Sequence, residues 1–418
     1  MDDHEHSHDH TLAHHNHSHQ HPHHHSHNPS PAHNHAHPHD AHPTRRDFLR
    51  ALFGGALAGA SILELAYHRA AWARAAGADS GPELFDIEKV ADGIYFAQAR
   101  PQAMTNCNAS IYVGAKDVVV VDAHSKPSAA ACLIAQIKRE ITEKPVRYVI
   151  NTHFHWDHTQ GNHAYRVAEQ KIDFIASNTT KKLMSEMAVA RMKASVAQVP
   201  QQVDELRARA AKSNSAAEKA FCADQIRQLE AYQAELKNYT LELPTITFDK
   251  TYLLKDPAHD LHIEFHGHAH TAGDVVVFCP QKRTVSSGDV IHGFFPFIAD
   301  GFPNAWPGTI QSIGQLEFTK ILPGHASLQT GRTIMTNMSN YIEELTGKVQ
   351  EGKKAGLTVP ELQQKITVAS LKSLQSNGYG EYILHSNERF RPHFGPVPPL
   401  QVGVNTNIGE IYKNLDRL

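Results

Sequence analysis

Thr152-His153-Phe154-His155-Trp156-Asp157-His158 sets three imidazoles and a carboxylate within six residues. Two histidines spaced by one residue can reach a single cation from a turn, and the Asp-His pair that follows can reach a second cation beside it. The spacing therefore points to a two-metal centre. A solvated, His-rich loop is the plain alternative, and the donors that follow in order weigh against it: Gly267-His268-Ala269-His270-Thr271-Ala272-Gly273-Asp274, Ser287-Gly288-Asp289 and Leu322-Pro323-Gly324-His325. Imidazole nitrogen and carboxylate oxygen suit zinc, and also iron or manganese, whereas an all-cysteine set would mark a closed structural zinc site.

Each donor lies just past an apolar run that reads as a short strand. Val146 to Ile150 precedes the His153 cluster, Leu261 to Phe265 precedes His270, Thr284 to Ser286 precedes Asp289, and the Leu322 run ends at His325. Strands are expected over 85–122, a helix over 126–140, and strands again from Thr245 to Ile291. Helices are expected over 329–352 and 360–375. Between Asn178 and Tyr239 the pattern changes to long charged helices, broken near Pro200 and at Ser213-Asn214-Ser215. In the last of them Ile226, Leu229, Tyr232 and Leu236 share one face, a stripe that fits packing on the domain better than a partner-binding coiled coil.

With these motifs in order over Asp122 to His325, the chain resembles the metallo-β-lactamase superfamily of hydrolases. The resemblance implies a four-layer αββα sandwich of mixed α/β (α+β) class, carrying its metals on loops at one edge of the sheets. It assigns His153, His155 and His270 to a first metal and Asp157, His158 and His325 to a second, with Asp289 bridging both. Asp122, after the run Val118 to Val121, matches the superfamily's first motif, where an aspartate steadies the ligand loop; an ordinary strand-end aspartate is the alternative. Two divalent cations so held, zinc first among the candidates, would provide hydroxide at neutral pH as nucleophile, with Asp157 and Asp122 supporting the chemistry. The expected reaction is cleavage of an ester, lactone, thioester or amide in a small-molecule substrate. Zinc β-lactamases usually carry Cys or Ser where this chain has Asp289, which leaves β-lactam amide hydrolysis as the lesser alternative. Sulfate ester hydrolysis also stays open.

Other histidines invite assignment. His292 opens the apolar loop Gly293-Phe294-Phe295-Pro296-Phe297, and His292, Phe294 and Phe295 are candidate substrate contacts; a core or lid role for the phenylalanines fits equally. His262 and His266 share a strand face with Glu264, which favours surface pairing over ligation. His124 and His163 lie close to motif residues. Cys132 and Cys279 sit in apolar runs and are expected as buried free thiols; the four cysteines (Cys107, Cys132, Cys222, Cys279) show no CxxC spacing.

The first 44 residues are of another kind. Eighteen of the 33 histidines lie between His4 and His42 among Ser, Asn, Asp, Ala and Pro, a composition with almost nothing to bury. A loose metal-binding tract, serving storage or handling of metal, and a solvated leader are equally compatible with it. Thr44-Arg45-Arg46-Asp47-Phe48-Leu49-Arg50 and the Ala/Gly-rich run to Ala66 then read as a twin-arginine export signal, implying the twin-arginine translocase as partner and a periplasmic or secreted location. That run is too short and interrupted for a stable membrane anchor. The organisation expected is a leader (1–44), a signal (45–78), a metal-binding domain (79–349) with a helical insertion at about 178–240, and an extension (350–418) packed on the domain. At 418 residues, 41% hydrophobic and a net charge of −3, the chain can bury one large core, and no basic stripe suggests nucleic acid as a partner.

Overall fold

A computed structural model describes residues 83–100, 107–169, 171–237, 239–388 and 399–417. The expected leader and export signal lie outside the described residues.

Seven strands form one sheet in sequence order: β1 (Phe85–Ala91), β2 (Ile94–Ala99), β3 (Ala109–Val113), β4 (Val118–Val121), β5 (Val146–Ile150), β6 (Asp173–Ser177) and β7 (Ile246–Phe248). Six more form a second: β8 (Thr251–Leu254), β9 (Leu261–Glu264), β10 (Val276–Cys279), β11 (Thr284–Gly288), β12 (Lys320–Pro323) and β13 (Gln329–Thr330). The first sheet is antiparallel from β1 to β4 and parallel from β4 to β7, while in the second only β11 and β12 run parallel.

The layers follow from the period-2 alternation of side chains along a strand. Val118 and Val120 pack outward with Leu133 and Ile137 of the helix Pro127–Glu140. Val119 and Val121 pack inward with Ile175, Val277 and Leu322, between the sheets. On the other sheet Val277 faces inward, whereas Val276 and Phe278 face an outer layer that includes Tyr341, Ile342 and Ile408. The order is helix, sheet, sheet, helix, as the expected αββα sandwich requires. Each buried aliphatic side chain contributes about 1.5–3 kcal/mol to that arrangement. Tyr112 brings a polar tie across the layer, its hydroxyl 2.8 Å from that of Ser286.

The helical insertion comprises helix Asn178–Leu183, a π turn at Met184–Ala188, helix Val189–Lys212 and helix Ala216–Leu236. The break expected near Pro200 does not occur. Proline removes the amide that would bond the Val196 carbonyl, and the side-chain amide of Gln233, from the next helix, donates to that carbonyl at 3.4 Å instead. The break at 213–215 is real, and Ser215 caps the new helix by accepting from the Glu218 amide. Tyr232 and Leu236 of the apolar stripe are buried, and Ile226 and Leu229 are half-buried. Glu235 binds the start of helix Pro127–Glu140, taking the Ser128 amide at 3.0 Å and its hydroxyl at 2.7 Å. The stripe therefore packs on the domain.

Beyond β13, helix Thr333–Lys354 runs straight through the boundary expected at 349/350. The helix expected over 360–375 is instead broken into Val359–Lys365 and Lys372–Gln375, because Thr367 and Ser370 form a capping box that starts a separate turn between them. Helix Leu400–Asn414 buries Val404, Ile408 and Ile411 in the same cluster as Trp306 and Tyr341. This segment is thus part of the outer helical layer. No described helix is long and apolar enough to cross a membrane. None of the four cysteines forms a disulfide; Cys107, Cys222 and Cys279 are buried, while Cys132, expected buried, is only half-buried.

Candidate metal centre

Strand β5 ends at Ile150, and the chain must turn so that donors on both sides of Phe154 face one point. It does so by extending through His155, at φ −63° and ψ 148°, and then closing into the single helical turn Trp156–Thr159, which carries Asp157 and His158. Asn151 fixes the turn from beneath, donating to the His158 carbonyl at 3.1 Å and to Asn162 at 3.0 Å.

Asp122 holds the other end. Its carboxylate accepts from the Thr152 amide at 2.9 Å, from the Thr152 hydroxyl, and from His158 Nδ1 at 2.8 Å. To make these contacts it adopts a left-handed backbone, φ 65°, a conformation that costs a non-glycine residue about 1–3 kcal/mol. Such strain persists only where surrounding contacts over-determine it, as these do.

All seven expected ligands meet here. Three groups of donor atoms, His153/His155/His270, His153/His158/Asp289 and Asp157/His158/His325, each lie within 4.8 Å of one another. Asp289 is the shared member by distance: its Oδ1 is 3.4 Å from His158 Nε2, and its Oδ2 is 3.0 Å from His325 Nε2, 3.5 Å from His270 Nε2 and 3.9 Å from His153 Nε2. Asp157 Oδ2 lies 3.3 Å from His325 Nε2 and 3.5 Å from His158 Nε2. Gly324 permits this closeness, since a Cβ there would stand 2.4 Å from Asp289 Oδ1 and 2.8 Å from His158 Cε1.

The remaining ring nitrogens settle which atoms face the centre. His158 Nδ1 is bound to Asp122, His270 Nδ1 donates to the Phe297 carbonyl at 3.0 Å, His155 Nε2 donates to Asp300 at 2.8 Å, and His153 Nδ1 lies 3.0 Å from the Thr152 hydroxyl. When these rings are neutral, that leaves lone pairs on Nε2 of His153, His158 and His270 and on Nδ1 of His155, all directed at one volume. His155 Nδ1 and His270 Nε2 are 2.9 Å apart, two acceptors face to face, an arrangement that is repulsive unless positive charge lies between or beside them. His153 Nε2 and Asp289 Oδ1 are buried without a hydrogen-bond partner, which suits atoms that would ligate a cation. The donor set fits a divalent metal pair.

Charge balance argues the same way. Burial, then neighbouring imidazoles, holds His153 and His270 well below the ordinary histidine range, so both are neutral donors. Burial also opposes charge on His325, but Asp289 and Asp157 outweigh it and push its pKa up to about 10. Burial raises the cost of ionising Asp289, yet His325 and His158 hold its pKa well below the usual carboxylate range. The carboxylates thus demand positive charge, supplied by protons when no cation is present.

The other candidates are placed differently. His292 is buried beside His325, ring centroids 5.8 Å apart, but its Nδ1 accepts the Phe294 amide and so closes a local turn. Phe294 stacks on the His325 ring at 5.9 Å. Phe295 does not line the cleft; it packs into the outer core against Tyr341 at 5.4 Å, where Gly403 leaves room for its ring. Phe297, at the end of that loop and 52% exposed, stands instead at the mouth, 5.6 Å from His155 and 6.0 Å from His270. His124 packs on Phe85 and bonds the Cys107 carbonyl, and His163 lies near Tyr239; neither belongs to the three donor groups. His262 and His266 both pair with Glu264. Sequence reasoning missed Asp300 and Arg191: a lone aspartate in an irregular loop and an arginine on a charged helix carry no local signal. Asp300 accepts both guanidinium nitrogens of Arg191, at 2.7 and 2.8 Å, while binding His155.

A sequence model described as the metallo-beta-lactamase superfamily matches residues 104–325, more than half of the chain. Among solved structures, the inverting sec-alkylsulfatase Pisa1 from Pseudomonas sp. is similar with a TM-score of 0.54 and 16% identity, over 79% of this chain and 50% of that one. The metallo-beta-lactamase from Pontibacter korlensis matches with a TM-score of 0.45 and 17% identity, over 62% of this chain and 99% of its own. The metallo-beta-lactamase FIM-1 from Pseudomonas aeruginosa, solved in a mono-zinc form, matches with a TM-score of 0.45 and 17% identity, over 63% of this chain and 97% of that one.

Proposed function

Because the chain belongs to the metallo-beta-lactamase superfamily, we propose that it is a metal-dependent hydrolase that uses two divalent cations, zinc before iron or manganese, to cleave an ester, lactone, thioester or amide. The observation that carries this reading is the chain of three donor groups joined through His153 and His158, with Asp289 in the middle group and with His153 Nε2 and Asp289 Oδ1 buried without a hydrogen-bond partner. Bound there, a cation pair supplies a nucleophile from water near neutral pH and polarises the scissile carbonyl.

In this reading His153, His155 and His270 would hold the first cation and Asp157, His158 and His325 the second, with Asp289 able to serve both. Asp122 keeps His158 and Thr152 in register. Phe297 offers an apolar surface at the mouth for the non-reacting part of a substrate, and Phe294 backs the His325 ring.

The test is metal analysis of residues 79–418 followed by a panel of lactones, thioesters, β-lactams and sulfate esters. Two tightly held metals and turnover of one panel class support the hydrolase. Loss of most bound metal on removing residues 1–44, with no turnover, would support metal storage by the His-rich tract instead. Activity confined to β-lactams would move the reading to the β-lactamase alternative, and activity confined to sulfate esters would overturn the carbonyl chemistry.

Export through the twin-arginine translocase to the periplasm belongs to the same proposal and rests on Arg45 and Arg46. Replacing both by lysine (Arg45→Lys with Arg46→Lys) should retain the precursor in the cytoplasm, as read by cell fractionation. Undiminished periplasmic accumulation of the double variant would rule the signal out.

A further inference from the structure

Arg191 lies in the helical insertion, far in sequence from every donor, yet it touches the metal loop at Phe154 and reaches His155 through Asp300. Its guanidinium makes a two-pronged bond to Asp300, whose Oδ2 also takes His155 Nε2 at 2.8 Å. The same guanidinium sits 5.1 Å over the ring of Phe154, the residue between His153 and His155. A planar fork with two parallel bonds fixes a carboxylate's orientation as well as its place, which a single lysine donor does not.

The helix is phased for this contact. The π turn Met184–Ala188 immediately precedes Val189, and its wider loop rotates the following helix relative to an uninterrupted α-helix; such turns recur at functional sites. On the other side of the insertion, Tyr232 donates to Gln160 at 2.8 Å, just past the turn that carries Asp157 and His158. The insertion therefore grips both flanks of the metal loop.

We propose that Arg191 and Asp300 are positioning residues that lock the His155 ring with Nδ1 toward the first cation, so that the helical insertion sets the affinity of that site. This rests on the reading of His153, His155 and His270 as the first-metal group. Without the guanidinium, Asp300 is free to swing, and His155 can turn its ring or exchange the nitrogen that carries the proton. Both changes remove the lone pair from the donor set.

The experiment is chelator competition for zinc on the full chain, with the visible spectrum of the cobalt-loaded protein as second readout. Arg191→Gln should weaken one of two zinc sites about 10- to 100-fold and change the cobalt bands, while the melting temperature of the metal-free protein stays put. Asp300→Asn should do the same, and the double variant should be no worse than the more severe single one, because the two residues act as one unit. Arg191→Lys should recover only part of the affinity. Wild-type protein that takes up no zinc would overturn the hydrolase reading and this one together. Two zinc ions bound as tightly by Arg191→Gln as by wild type, with unchanged cobalt bands, would overturn the latch alone, leaving Arg191 as an ordinary surface ion pair.

Discussion

Asp289→Ala should reduce turnover by about a hundred- to a thousandfold, the cost of removing a central electrostatic group from an active site, and should lower the occupancy of at least one metal. The size of the effect follows from position. Asp289 is the carboxylate whose two oxygens address both halves of the donor cluster, Oδ1 toward His158 and Oδ2 toward His325, His270 and His153. The fold should survive, since β11 and the Gly324 approach depend on backbone contacts such as the Gly324 amide to the Gly288 carbonyl at 2.8 Å. Asp289→Asn keeps the shape and removes the charge, so it should reproduce most of the loss. Elemental analysis and circular dichroism read the two parts separately. Two metals at full occupancy with unchanged activity in Asp289→Ala would remove the bridging role.

The centre was legible in the sequence to an unusual depth because its donors cluster locally and each follows an apolar strand. His153, His155, Asp157 and His158 lie within six consecutive positions, and such local spacing is visible in sequence where tertiary packing is not. Asp300 and Arg191 show the opposite case: their significance exists only once a loop after β11 and a helix from the insertion meet at His155. Phe295 and Phe297 lie two residues apart in one apolar run, and composition cannot say which ring faces Tyr341 and which faces the donors. Pro200 sits inside a continuous helix for a related reason. Its helix-breaking tendency is local, while the Gln233 amide that compensates the Val196 carbonyl comes from the next helix. Likewise the extension after residue 350 has the composition of an appendage, yet Val404, Ile408 and Ile411 complete a core begun by Trp306 and Tyr341.

Asp157→Ala separates the two cation sites. Asp157 reaches His325 at 3.3 Å and His158 at 3.5 Å, and it stands outside the His153/His155/His270 group. Its neighbour Trp156 opens the helical turn and His155 ends the extended segment, so truncating Asp157 to Ala leaves the backbone that presents the first group in place; alanine also suits a helix. The variant should therefore bind about one metal with wild-type strength and lose at least about a hundredfold in rate. Asp157→Asn is the control for charge, keeping an oxygen donor at the same position and giving an intermediate loss. His158 keeps its bond to Asp122 in both variants, so a collapse of the first site would itself be informative: it would mean that the two groups are held only as a pair. Metal stoichiometry and single-turnover rate on the substrate identified by the panel read the result. Near-normal turnover with one metal bound would require abandoning the two-cation mechanism for one in which His153, His155 and His270 alone prepare the nucleophile.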